Sequence, residues 1–159
     1  MNQTTIDSFI QEYQDFQNSF RQKAKVKLKE VFKQFWEENP EVKVVVWTQY
    51  APYFNDGDAC VFSINESTFS NATDEDDIND LSYGEYDGDN KDIWAISSWD
   101  IDRTTKGKSR VNGESVKLLC NFLTSDAMED VLESMFGSDN KIVATREGFA
   151  VTDYSGSHD

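Results

Sequence analysis

Histidine occurs once in this chain of 159 residues, at His158, and cysteine twice, at Cys60 and Cys120. A Ser/His or Cys/His pair needs its base held within hydrogen-bond reach of the nucleophile. A penultimate residue, in a tail expected to fray over 155–159, offers no such hold. Two separated cysteines and one terminal histidine also make no four-ligand zinc site. Two cysteines are too few for a disulfide scaffold. Cys60 on a strand and Cys120 on a helix beside Leu118, Leu119, Phe122 and Leu123 read as small core residues with free thiols. No apolar run approaches the roughly 20 residues needed to cross a bilayer. The opening MNQTTIDSFIQEYQDF lacks the basic start and apolar run of a secretion signal, so a cytoplasmic location is expected.

Base is scarce in one third of the chain. Residues 51–102 hold fourteen of the thirty acids against a single lysine, Lys91, and so carry 13 of the 15 net negative charges. Residues 1–50 are balanced, seven acids against seven bases. A local charge field is a statement about partners rather than about fold. At a pI near 4.3, nucleic acid and anionic membrane both repel the chain, and a basic protein surface is the natural counterpart.

Aromatics are plentiful, at 13%, so a packed core is expected of a single domain spanning 1–159. Ile6, Phe9, Ile10, Tyr13, Phe16, Phe20, Ala24, Leu28, Val31, Phe32 and Phe35 recur in steps of one, three and four. That spacing predicts one long amphipathic helix stopped by Asn39-Pro40. About 30 residues at 1.5 Å each give roughly 45 Å, more than a small domain's diameter, so one end projects or pairs with another chain. Its bases, Arg21, Lys23, Lys25, Lys27, Lys29 and Lys33, read as a solvated face that neutralises the protein's own acidic segment. Residues 41–50 read as a strand, Asn55-Asp56-Gly57-Asp58 as a tight turn and 59–65 as the returning strand. Residues 66–92, with ten acids, read as an acidic loop inserted between strands, mobile around 71–80. A strand follows at 93–99, then helices at 116–123 and 128–136. Asp126 and Glu129 form a capping box for the second helix, and Gly137 its stop. A hairpin of 141–145 and 149–154 closes the chain. The expected fold is α+β: a long N-terminal helix and two short helices on one face of a mostly antiparallel sheet of about five strands.

The block Trp47-Thr48-Gln49-Tyr50-Ala51-Pro52-Tyr53-Phe54-Asn55-Asp56-Gly57-Asp58-Ala59-Cys60-Val61-Phe62 resembles a pattern in uncharacterised acidic proteins of bacterial and bacteriophage genomes. The resemblance covers about 16 of 159 residues. It implies a shared hairpin and a bacteriophage connection, and it transfers no catalytic residue.

Thirty acids guarantee that some carboxylate pair meets any glycosidase spacing, so Asp56, Asp58, Asp100 and Asp102 near Trp47, Tyr50, Tyr53, Trp94 and Trp99 carry little signal. No catalytic residue and no cofactor is assigned. The stretch from Asp87 to Asp92 resembles a calcium loop but has Lys91 and Asp92 where an oxygen ligand and glycine belong. A calcium or magnesium site using Asp56, Asp58, Asp87 and Asp89 is therefore the alternative reading. Pairing through the long helix, as a structural assembly protein, is a third, and the oligomeric state is open. Extended, the nine acids of 74–92 would spread over roughly 60 Å at ~3.3 Å per residue, too sparse to imitate DNA with one charge per roughly 1.7 Å. Folded beside Asp56, Asp58, Asp100 and Asp102 they would be denser. The expectation is a non-enzymatic acidic interaction protein that docks on a basic, nucleic-acid-binding protein surface. Its contacts would be Asp74, Glu75, Asp76, Asp77, Asp80, Glu85, Asp87, Asp89 and Asp92, with Tyr83 and Tyr86 as anchors and Trp47 and Trp99 as scaffold. A phage-encoded inhibitor that mimics nucleic acid against a host defence system is its concrete form.

Overall fold

A computed structural model describes residues 3–50, 63–100 and 111–153. The fold is α+β, built on a six-stranded sheet whose strand pairs are all antiparallel among the described residues. Helix α1 (Gln3–Glu38) leads to the central strand β1 (Val44–Tyr50). β2 (Ser63–Ile64) and β3 (Thr68–Ser70) follow, then the short helix α2 (Glu75–Asn79), the strand pair β4 (Leu81–Ser82) and β5 (Glu85–Tyr86), and β6 (Ala95–Ser97). Helices α3 (Gly113–Leu123) and α4 (Asp126–Phe136) precede the hairpin of β7 (Asn140–Thr145) and β8 (Gly148–Asp153). Across the sheet the order is β6-β3-β1-β7-β8, with β2 also on β1.

Alternation along β1 divides the protein into layers, because successive side chains of a strand point to opposite faces. Val45 and Trp47 join Leu28, Phe32 and Phe35 of α1, Val116 and Leu119 of α3, and Val131 and Leu132 of α4 in the main core. Val44 and Val46 face the other way, onto Ala72, Leu81 and Ala95, with Ile78, Tyr86 and Ile93 around them. The segment expected as an acidic loop thus supplies a sheet strand, a helical turn and a small hairpin, and it covers the second face of the sheet. β3 is buried throughout. The reason lies in the few apolar residues among the acids: Ile78, Leu81, Tyr86 and Ile93 together make an apolar underside.

Helix α1 ends where Asn39-Pro40 stops it. Arg146, in the β7–β8 turn, donates to the carbonyls of Val42 at 2.7 Å, Trp36 at 3.3 Å and Asn39 at 3.4 Å. Its positive charge thereby meets the negative end of the helix dipole. The buried Asn39 donates to Phe35 O at 3.0 Å and Ser115 Oγ at 2.8 Å and accepts from Asn112 N at 2.7 Å, which ties α1 to the start of α3. α3 begins earlier than its apolar spacing suggested because Asn112 caps it, accepting from Ser115 N at 3.2 Å. The expected capping box on α4 is not formed. Ser125 is the N-cap, its hydroxyl donating to Phe122 O at 2.7 Å, and Asp126 lies inside the helix. Gly137, at φ 80°, stops α4 as expected.

Candidate functional site

Residues 74–92 fold into a layer with apolar residues inward and carboxylates outward. α2 carries Glu75, Asp76 and Asp77 in its only turn, where they oppose the positive end of the helix. With Asp74 and Asp80 they place five carboxylates on about 9 Å of axis at 1.5 Å per residue. That is about one per 2 Å, near the ~1.7 Å spacing of duplex DNA.

The hairpin behind them is closed by Tyr83 and Gly84, at φ 49° and 82°, the pair of positive values that a two-residue β-turn requires. Gly84 donates its N–H to Thr68 Oγ1 at 2.8 Å. A Cβ there would lie 2.8 Å from Ser97 Cβ, so the turn rests directly on the sheet. Tyr86 is half-buried. Its hydroxyl donates to Asp77 Oδ1 at 2.6 Å and accepts from Asn90 N at 3.2 Å. The bond to Asp77, and burial after it, hold the Tyr86 phenol above its usual pKa. Asn71 closes the far end, donating to Asp92 O and accepting from Trp94 N, both at 2.9 Å. Lys141 of β7 lies beneath the layer and donates to Leu81 O at 3.4 Å. Half-burial lowers its pKa, partly offset by Asp80.

Asp74, Glu75, Asp76, Asp80, Glu85, Asp87, Asp89 and Asp92 are exposed, as is Tyr83, while Asp77 and Tyr86 are half-buried against each other. No salt bridge among the described residues reaches any of these carboxylates; pairs such as Arg21–Asp130 at 3.0 Å and Lys27–Glu30 at 3.1 Å lie elsewhere. The lysines of α1 therefore do not neutralise the acidic segment, because the sheet stands between them. Asp56, Asp58 and Asp102, with the Asp56-Gly57 turn, lie outside the described residues. Asp100 is spent on its own turn, accepting from Ser97 N at 2.8 Å.

Among the described residues, Asp87 and Asp89 included, no three His, Cys, Asp or Glu side chains come together to hold an ion, and Asp56 and Asp58 of the alternative metal site lie outside the described residues. Asn90 Oδ1, the donor that a calcium loop would use, accepts from Asp92 N at 3.0 Å. Of the aromatics named for sugar stacking, Trp47 and Trp94 are buried and Tyr53 lies outside the described residues. Trp99 is 58% exposed and so is not part of the core scaffold. Cys120 is a half-buried free thiol, pushed up to about 11 by burial, which keeps it protonated and unreactive at neutral pH. Cys60 and His158 lie outside the described residues.

Sequence reading missed what fixes the layer: Leu81, Gly84, Gly88, whose missing Cβ makes room for the Tyr86 ring, and Lys141. The available signal was the pairing of Tyr83-Gly84 with flanking Leu81 and Tyr86. It also missed an open groove of about 800 Å3 between α1 and the β7–β8 turn, lined by Lys29, Lys33, Trp36, Arg146 and Phe149 among others. Arg146 lies 5.0 Å over the Trp36 ring there, with its donors committed to the end of α1.

No family model matches the chain, and neither a search of curated proteins nor one of solved structures returns a match. Of the block that resembles bacterial and bacteriophage proteins, only residues 47–50 are described. Their role is structural. Trp47 is in the core and donates Nε1–H to Gln49 Oε1 at 3.0 Å. The fully buried Gln49 donates Nε2–H to Leu132 O at 2.9 Å and Gly137 O at 2.8 Å, pinning β1 to the end of α4.

Proposed function

We propose that this is a non-enzymatic interaction protein whose acidic layer docks by charge complementarity on a basic protein surface of the kind that binds nucleic acid. The observation that carries this reading is the layer itself. Nine carboxylates are fixed on an apolar underside, eight of them exposed and Asp77 held by Tyr86, and none has a salt bridge among the described residues. A merely solubilising loop has no need of an apolar underside, two backbone positions with positive φ, or a buried glycine contact.

The density along α2 supports competition with nucleic acid for the same groove. Such a protein acts by occupying the groove, and an inhibitor of a nucleic-acid-binding system, in line with the bacteriophage resemblance, is its concrete form. Association would be fast and would weaken steeply with salt.

The test is affinity capture from a bacterial lysate with the native protein and with a variant carrying Glu75→Gln, Asp76→Asn, Glu85→Gln, Asp87→Asn and Asp89→Asn. These five side chains are exposed, so the fold is retained. Capture of basic nucleic-acid-binding proteins by the native chain, lost in the variant and at high salt, supports the reading. Identical capture by both proteins, persisting at molar salt, refutes it.

A further inference from the structure

We infer that the first half of α1 is a self-association surface, paired antiparallel with the same segment of a second copy of this chain. In the apolar stripe of α1, Ala24, Leu28, Phe32, Phe35 and Trp36 are buried. Towards the N-terminus the same stripe continues uncovered, with Phe9 64%, Tyr13 58% and Phe16 71% exposed and Ile6, Ile10 and Phe20 exposed beside them. Residues 3–20 extend about 27 Å at 1.5 Å each, and a lone helix of that length is marginal in water unless its apolar face is packed.

Taking ~200 Å2 for a whole aromatic side chain, the stripe offers on the order of 600 Å2 per copy. Two copies then bury roughly 1,200 Å2, the lower bound of specific interfaces. Per copy that matches the upper end of the roughly 300–600 Å2 of the largest apolar patch on an ordinary monomer, the size at which such patches mark interaction sites.

The occupant and its direction follow from geometry and charge. A partner helix on the stripe cannot run parallel. Its second half would then meet the position already filled by α3, α4 and the sheet, which cover Ala24 to Phe35. Antiparallel, each copy uses only the open half, and the two globular bodies lie at opposite ends. Residues 3–20 carry Asp7, Glu12 and Asp15 and no base, whereas 21–33 carry six bases against Glu30. Antiparallel pairing with position 6 beside position 20 brings Asp7 of one copy near the basic segment that starts at Arg21 of the other, whereas parallel pairing sets like beside like throughout. A bilayer is a poor occupant, because interfacial helices carry Lys and Arg on their polar face and this segment has neither. The arrangement is two-fold, the same patch on both copies.

Light scattering after gel filtration tests this on the full chain. The native protein is expected at twice 18.2 kDa, and Phe9→Glu with Phe16→Glu at half that mass, with the near-ultraviolet circular dichroism of the buried Trp36, Trp47 and Trp94 unchanged and far-ultraviolet helicity reduced as 3–20 loses its packing. A native monomer at micromolar concentration, or a dimer that survives both substitutions, overturns the inference. Direction is read by mixing Ile6→Cys and Phe20→Cys proteins, each with Cys60→Ala and Cys120→Ala, under mild oxidation. Links between positions 6 and 20 are expected to dominate; links of 6 to 6 would overturn the antiparallel arrangement.

Discussion

Gln49 shows how one side chain decides a junction. Its amide, itself fully buried, satisfies two carbonyls at the end of α4 and the indole N–H of Trp47. Gln49→Leu keeps the volume but strands those groups, and a buried polar group left unpaired costs about 1–3 kcal/mol. The substitution is expected to lower unfolding free energy by about 2–3 kcal/mol in urea titration. Tyr86 gives the pH dependence. Its folded pKa is raised, so the Asp77 bond contributes fully below the usual value of 10.0 and is lost as pH rises through the higher folded value. The native melting temperature is expected to fall, as pH rises above 10.0, by more than that of Tyr86→Phe, which has no phenol to ionise. Equal slopes in the two proteins would remove Tyr86 from the account.

At the scale of the element, the acidic layer is the part least legible in the sequence. α1 and the β7–β8 hairpin could be read because 36 residues hold one helical period and six-residue strands flank Arg146-Glu147. The layer offers no such run. β4 and β5 have two residues each, too short to show alternation, and β3 is buried on both faces, so it has no polar side to reveal it. Acid content then hid the apolar spacing of Ile78, Leu81, Tyr86 and Ile93. The nine acids were legible as residues and not as a surface, because helical compaction at α2 appears only once the chain is folded. If the layer is held by its turn, Gly84→Ala, which forces a Cβ against Ser97 at φ 82°, costs about 1–3 kcal/mol. Hydrogen exchange is expected to quicken across 78–88 while 140–153 stays protected; uniform quickening of both segments would mean the layer is not a separate unit.

Among the described residues, the acidic layer and the basic segment of α1 lie on opposite faces of the sheet. Helices α1, α3 and α4 occupy one face of the sheet, the acidic layer the other, and the basic segment of α1 cannot reach the carboxylates. Two copies joined through α1 would present two such layers, and linked sites raise avidity without any new contact. The measurement that bears most directly on docking is the affinity of the native protein for a captured partner as a function of salt, with and without duplex DNA. Affinity is expected to fall log–log with salt, less steeply for the five-substitution variant, and DNA and this protein are expected to exclude each other from the partner. Simultaneous binding of DNA and this protein to the partner, with an affinity indifferent to salt, would contradict docking by the acidic layer.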